Sequence, residues 1–230
     1  MSDDVFISGW LQDITLGSKL GLRWKFPGED WSGARHELAV LSQDQLNRRN
    51  NRYKDGHRLA EGDVPEALAI WEPKCFARKG DMFSIGSMYI VQPRLAEVFS
   101  RFDLGEGCLT PATIYQADLQ TPAVGEYWML HFGARKDCFL PEQSNQEDYR
   151  ITKMYVDRAS GRQIWKAGFG VKDGDVALSS AALQGADLWC EEGIWARIFM
   201  SGALAEALQK AKPKKVDFDL RRCRVIGQAL

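Results

Sequence analysis

Two stretches of this chain align without a gap at an offset of 109: IVQPRLAEVFSRF at 90–102 and FMSGALAEALQKA at 199–211, sharing Leu-Ala-Glu at 95–97 and 204–206. Each reads as a strand that turns into a helix. In the first, Leu95, Val98, Phe99 and Phe102 recur at i, i+3, i+4 and i+7; in the second, Leu204, Ala207, Leu208 and Ala211 hold the same places, so each helix buries one stripe. Ser201 is placed to cap the second helix by accepting from an orphan backbone N–H, and Pro93 opens the first, where a missing N–H costs nothing. A β-rich run closes each unit, LTPATIYQ after the first and VDFDLRRCRVI after the second. The expectation is two related strand-helix-strand halves, over 81–120 and 190–226.

The rest of the chain after residue 80 supports that frame. MFSIGSMYIV (82–91), ATIYQA (112–117), EYWMLHF (126–132), RITKMYVD (150–157) and IWARIFM (194–200) are short runs rich in β-branched and aromatic residues, separated by turn formers such as D-R-A-S-G at 157–161 and K-D-G-D at 172–175. Such spacing suits antiparallel pairing with few helices, an α+β protein with a mostly antiparallel sheet. Residues 1–80 read differently, as an irregular N-terminal part with one short helix over about 43–50, opened by the capping-box spacing of S-Q-D-Q at 42–45. That helix runs into NRRNNRYKDGHR, where five basic residues outweigh Asp55.

Composition narrows the class. A chain of 230 residues, 45% hydrophobic, with 30 basic against 31 acidic side chains, has enough interior to fold without disulfide or metal. Its net charge of −1 excludes nucleic-acid binding through bulk positive charge. Acids at the start and no long apolar run point to a cytoplasmic protein without membrane attachment. The five cysteines lie far apart without ligand-type neighbours and read as reduced, mostly buried thiols.

Catalytic patterns are missing. His36-Glu37 begins like a zinc-protease helix, but Val40 stands where the second His is required. Gly168, Gly170 and Gly174 have the wrong spacing for a dinucleotide loop and read as a hairpin turn. The best nucleophile arrangement pairs His131 with Cys138 or Cys108, but Tyr127, Met129 and His131 alternate with Trp128, Leu130 and Phe132, a pattern that equally sets the His on an exposed face. The carboxylate pairs Asp173/Asp175 and Glu191/Glu192 sit in turn-like contexts and read as solvated.

The segments YIVQPRLAEVFSRFD, EYWMLHF with Asp137 and Ser144 downstream, ADLW at 186–189 and RIFMSGALAEALQKA together resemble the immunity protein 11 family of bacterial polymorphic toxin systems. The resemblance spans about residues 80–226 and departs from the family pattern at Gln92-Pro93, where a Ser-type cap is expected. It implies a cytoplasmic protein that binds and neutralises a cognate toxin, with no catalysis and no cofactor, and it supplies no binding residues. An enzyme using His131 and a thiol, and a nucleic-acid accessory protein, are the alternatives, and a homodimer is compatible. From the residues themselves, Arg48, Arg49, Arg52 and Tyr53 on the basic run, with Trp24 and Trp31 in a Gly-rich stretch, are the candidate partner contacts, because Trp and Arg dominate interface hot spots. A second basic run, Lys210 to Arg224, follows a helix C-terminus, where the macrodipole attracts cations.

Overall fold

The computed structural model describes residues 3–12, 20–31, 52–85 and 88–227. The strands are β1 (Val5–Ser8), β2 (Leu22–Lys25), β3 (Ala67–Ile70), β4 (Met82–Ile85), β5 (Met88–Val91), β6 (Cys108–Pro111), β7 (Ile114–Tyr115), β8 (Trp128–His131), β9 (Arg135–Lys136), β10 (Ile151–Val156), β11 (Gln163–Ala167), β12 (Ala177–Ser179), β13 (Leu188–Glu191), β14 (Ile198–Ser201), β15 (Leu220–Arg222) and β16 (Arg224–Ile226). Among the described residues the α-helices with assigned bounds are α1 (Pro73–Phe76), α2 (Pro93–Phe99) and α3 (Gly202–Ala211). Short strands in several sheets, mostly antiparallel, with few helices make this a mostly β protein.

Two sheets carry the frame, one ordered β4-β5-β8-β6 and the other β15-β1-β14-β13-β9. In the first, the hairpin β4/β5 leads into α2, and β6 returns two places away with β8 filling the gap antiparallel to both neighbours. In the second, β13/β14 leads into α3, and β15 returns two places from β14 with β1 filling the gap in the same way. Trp128 of β8 thus lies between Val91 and Pro111, and Phe6 of β1 between Met200 and Arg222. Beside each sheet, a parallel pair follows: Leu68 of β3 against Ile114 of β7, and Leu178 of β12 against Val225 of β16. Leu68 also faces Trp24 of β2, and Leu178 makes an isolated antiparallel bridge to Phe139.

Helices α2 and α3 pack against each other head to tail. Arg94, at the start of α2, donates from Nη1 to the carbonyls of Ala211 and Lys212, 3.2 and 3.1 Å away, at the end of α3. A guanidinium there satisfies carbonyls that the helix leaves open and meets the negative end of its dipole. Leu95, Val98 and Phe99 of α2 and Leu204 and Leu208 of α3 are buried as the stripes require, while Phe102, Ala207 and Ala211 are half-buried. Ser201 caps α3 by accepting from the Leu204 N–H at 3.3 Å, and Pro93 opens α2. Gly80 has no room for a side chain: a Cβ there would lie 2.7 Å from the Lys214 carbonyl, because the segment after α3 crosses it.

Several expectations change. The boundary at 80/81 is not structural, since β1 is an interior strand of the sheet that holds β13 to β15 and Trp10 is wholly buried. Trp10 packs on Tyr89, Phe99, Phe132 and Phe218 with ring centroids 5.3–6.3 Å apart, which places this N-terminal residue in the core. Strand β8 is buried on both faces, His131 included, because β5 and β6 flank it within the core. The stretch with Gly168, Gly170 and Gly174 connects β11 to β12, which are in different sheets, and is not a hairpin turn. The helix expected over 43–50 lies outside the described residues.

Candidate functional site

Two long insertions, 26–66 between β2 and β3 and 140–176 between Phe139 and β12, meet at one cleft of about 360 Å³. Asp55 and His57 come to it from the first insertion, Tyr155, Asp157 and Arg162 from the second, and Arg135 and Glu192 from the sheet between them. Arg162 grips Asp137 through both guanidinium nitrogens at 2.5 and 2.8 Å, a bidentate pair that holds the Asp137 carboxyl below its ordinary range. Glu192 lies 3.5 Å from both Arg135 and Arg162, and Arg135 donates from Nε to the Asp55 carbonyl at 3.0 Å. Burial raises the Asp55 carboxyl, and burial followed by the Arg135 charge lowers the His57 imidazole.

Glu191 is a buried residue of β13 rather than a solvated turn carboxylate. Burial is the main cause that pushes it up to about 7. One carboxyl oxygen accepts from the Cys138 and Phe139 N–H groups at 2.9 and 3.2 Å, and the other from the Trp189 indole at 2.8 Å. A carboxyl near neutrality is what general acid-base chemistry uses, but here both oxygens are committed to internal donors. Lys136 lies over the Trp189 ring at 3.6 Å and donates to the Ala182 carbonyl, which ties the same corner together. Asp175 is likewise buried, accepting from Asn145 Nδ2 and the Lys172 N–H, and Asp173 accepts from the Arg222 N–H.

The other proposed chemistry is dispersed. His131 stands opposite Cys108 in the β6/β8 register, and its Nε2 is in a 2.8 Å hydrogen bond with Thr110 Oγ1. Burial, and then the Arg58 charge, lowers the imidazole. Burial, with Glu191 next, raises the Cys138 thiol, the reverse of what an activated nucleophile needs. Among the described residues no group of three His, Cys, Asp or Glu side chains lies close enough to hold a metal ion, and no helix is long and apolar enough to cross a membrane.

The sequence-chosen partner contacts do not form one surface. Tyr53 is 1% exposed and belongs to the core: its hydroxyl donates to the Leu130 carbonyl and accepts from the Tyr89 N–H, and its ring lies 4.7 Å from that of Phe132. Trp24 is half-buried in β2, and Trp31 is half-buried with its ring edge-on to Tyr115 at 6.3 Å. Arg52 is exposed; Arg48 and Arg49 lie outside the described residues. Sequence reasoning missed the exposed apolar residues of the second insertion. Tyr149 and Phe169 are 85% and 82% exposed, and Met154, Tyr155 and Val156 are also open to solvent. Elsewhere among the described residues, only Trp71 and Val124 are large apolar side chains of that exposure.

Compared with known protein families and with curated proteins, the chain matches none.

Proposed function

We propose that this is an immunity protein: a cytoplasmic, non-catalytic inhibitor that binds a cognate toxin domain and blocks it by covering its surface. The observation that carries the reading is the placing of five large exposed apolar side chains, Tyr149, Met154, Tyr155, Val156 and Phe169, on one insertion, where the rest of the described residues expose only Trp71 and Val124 to that degree. Contiguous exposed apolar residues mark interaction sites, and aromatic and Met side chains are enriched there. The resemblance of residues 80–226 to the immunity protein 11 family points the same way. Inhibition of this kind needs shape and charge complementarity and no reacting group.

We infer further that the two main sheets are copies of one β-β-α-β plan, each completed by a strand from the other half: β1 fills the sheet of the second copy, and β8 that of the first. The matching registers around Trp128 and Phe6 support this, as do the paired bridges at Leu68 and Leu178. A frame repeated in this way leaves the two insertions as the parts that differ, and specificity sits in such loops on a rigid scaffold. Co-expression with the toxin domain encoded beside this gene tests the function: restored growth and a stable stoichiometric complex are expected. Unrelieved toxicity with no complex would overturn it.

A further inference from the structure

Strands β10 and β11 form a two-stranded ribbon that, among the described residues, pairs with no other strand beyond the contact of Trp165 with residues 193–195. Its sequence from 150 to 167 carries Arg150, Lys153, Arg158, Arg162 and Lys166 against Asp157 alone, in a chain whose net charge is −1. Arg162 is spent on Asp137 and Glu192, and Arg150 lies 3.7 Å from Asp175. Lys153, Arg158 and Lys166 have no carboxylate partner among the described residues; the first two are exposed, with the Lys153 ammonium 5.6 Å from the centre of the Trp165 ring, and Lys166 is half-buried. The same ribbon presents Met154, Tyr155 and Val156 to solvent.

At its base the chain is held in an unusual shape. Ile151 pairs with Ala167 and the Gly168 N–H donates to the Arg150 carbonyl, and Tyr149 and Phe169 are the next residues of the two segments beyond that bond. Asp148 and Tyr149 have φ of 49° and 58°, a left-handed backbone that non-glycine residues adopt at a cost. The Tyr149 carbonyl passes so close to Gly168 that a Cβ there would lie 2.7 Å from it. The result is two aromatic rings turned outward where burial would otherwise recover their apolar area. Across the cleft, Asp55 and His57 bring the described end of the basic run 47–58 beside the ribbon.

We propose that the β10–β11 ribbon, with the Tyr149/Phe169 pair at its base, is a docking surface whose occupant is an acidic protein face with apolar residues among its carboxylates. This names the partner's chemistry and rests on the reading that the protein acts by binding another protein. Free cations in a ring of exposed apolar side chains match such a face: the charges set approach and register, and the aromatics fill pockets. Tyr149, Tyr155 and Phe169 offer rings for stacking, but Met154 and Val156 among them are aliphatic contacts of the kind a protein face makes and Asp157 would repel phosphate, so the surface suits protein over nucleic acid, which a duplex DNA probe tests.

The test uses the full chain and two defined probes, a random Glu–Tyr copolymer and a duplex DNA. Wild type should bind the copolymer in a salt-sensitive manner and more tightly than the duplex. Lys153→Glu/Arg158→Glu/Lys166→Glu and, separately, Tyr149→Ser/Phe169→Ser should each weaken copolymer binding by roughly tenfold or more with unchanged melting temperatures. No copolymer binding, equal binding by all three proteins, or preference for DNA would each overturn the proposal. If the copolymer results hold and growth is not rescued from the neighbouring toxin, the immunity reading falls alone. If rescue persists in both ribbon variants, the ribbon falls alone.

Discussion

Asp81 and Asp187 make the same three hydrogen bonds, Asp81 with the segment that follows α3 and Asp187 with the segment that follows α2. Asp81 donates its N–H to the Lys214 carbonyl, accepts the Lys214 N–H on Oδ2 at 2.9 Å, and accepts the Gln92 N–H on its own carbonyl. Asp187 does likewise with Asp103 and Ser201: N–H to the Asp103 carbonyl, the Asp103 N–H on Oδ2 at 3.0 Å, the Ser201 N–H on its carbonyl. Each aspartate stands one residue before a hairpin, β4/β5 or β13/β14. Each therefore fastens the start of one sheet to the exit of the helix packed on the other.

Asp81→Ala and Asp187→Ala should each lower stability by about 1 kcal/mol, because each leaves a backbone N–H without its charged acceptor. Asp187→Ala should cost more, since the Ser201 hydroxyl that caps α3 also donates to Asp187, at 2.6 Å. Chemical denaturation of the two variants checks this; a neutral result at either position would contradict the reciprocal clamp.

Leu95→Ala and Leu204→Ala should each cost about 2–5 kcal/mol, since both side chains are wholly buried between helix and sheet. Thermal melts that leave either variant at the wild-type temperature would contradict the packing.

Tyr53→Phe separates core from interface on the basic run. Loss of the buried hydroxyl removes its hydrogen bonds to the Leu130 carbonyl and from the Tyr89 N–H and should cost about 1–3 kcal/mol. Partner association rates should not change, because that side chain is inside. A variant that melts normally and binds slowly would restore Tyr53 as a contact.

Glu191 gives the stability a pH dependence of definite sign. Burial raises its carboxyl from 4.5 to about 7, so between those values the folded protein holds a proton that the unfolded chain has released. The stability that comes with the neutral form is full below the lower value and is lost as pH rises through about 7. Glu191→Gln should flatten this part of the profile. Denaturation midpoints from pH 4 to pH 8 read it directly, and a variant with the wild-type slope would contradict the assignment.

The parts of the fold legible in the sequence are those in which neighbours in sequence are neighbours in space. The β-rich run over 82–91, the Pro93 and Ser201 helix starts and the stripes through Leu95 and Leu204 depend on local periodicity and local capping, although that run reads as one strand where the structure folds it into the hairpin β4/β5. Strand β1 was not legible, because four residues, VFIS, carry no period, and their partners in β14 and β15 lie about two hundred residues along the chain. Tyr53 misleads for a related reason: charged neighbours make it look solvated, and only packing against Tyr89 and Phe132 brings it inside. Within RITKMYVD the β propensity is clear, but burial is not, since burial along β10 depends on what covers it: Ile151 is buried and Met154, Tyr155 and Val156 are open.

In the proposed mode of action the protein presents the β10–β11 ribbon, with Tyr149 and Phe169 at its base, to a protein partner. Hydrogen exchange on the full chain, alone and in complex with a protein whose toxicity it relieves on co-expression, tests this most directly. Backbone amides of residues 149–169 should gain the strongest protection on binding. Protection confined to other surfaces, such as the outer faces of α2 and α3, with 149–169 exchanging as in the free protein, would contradict the account.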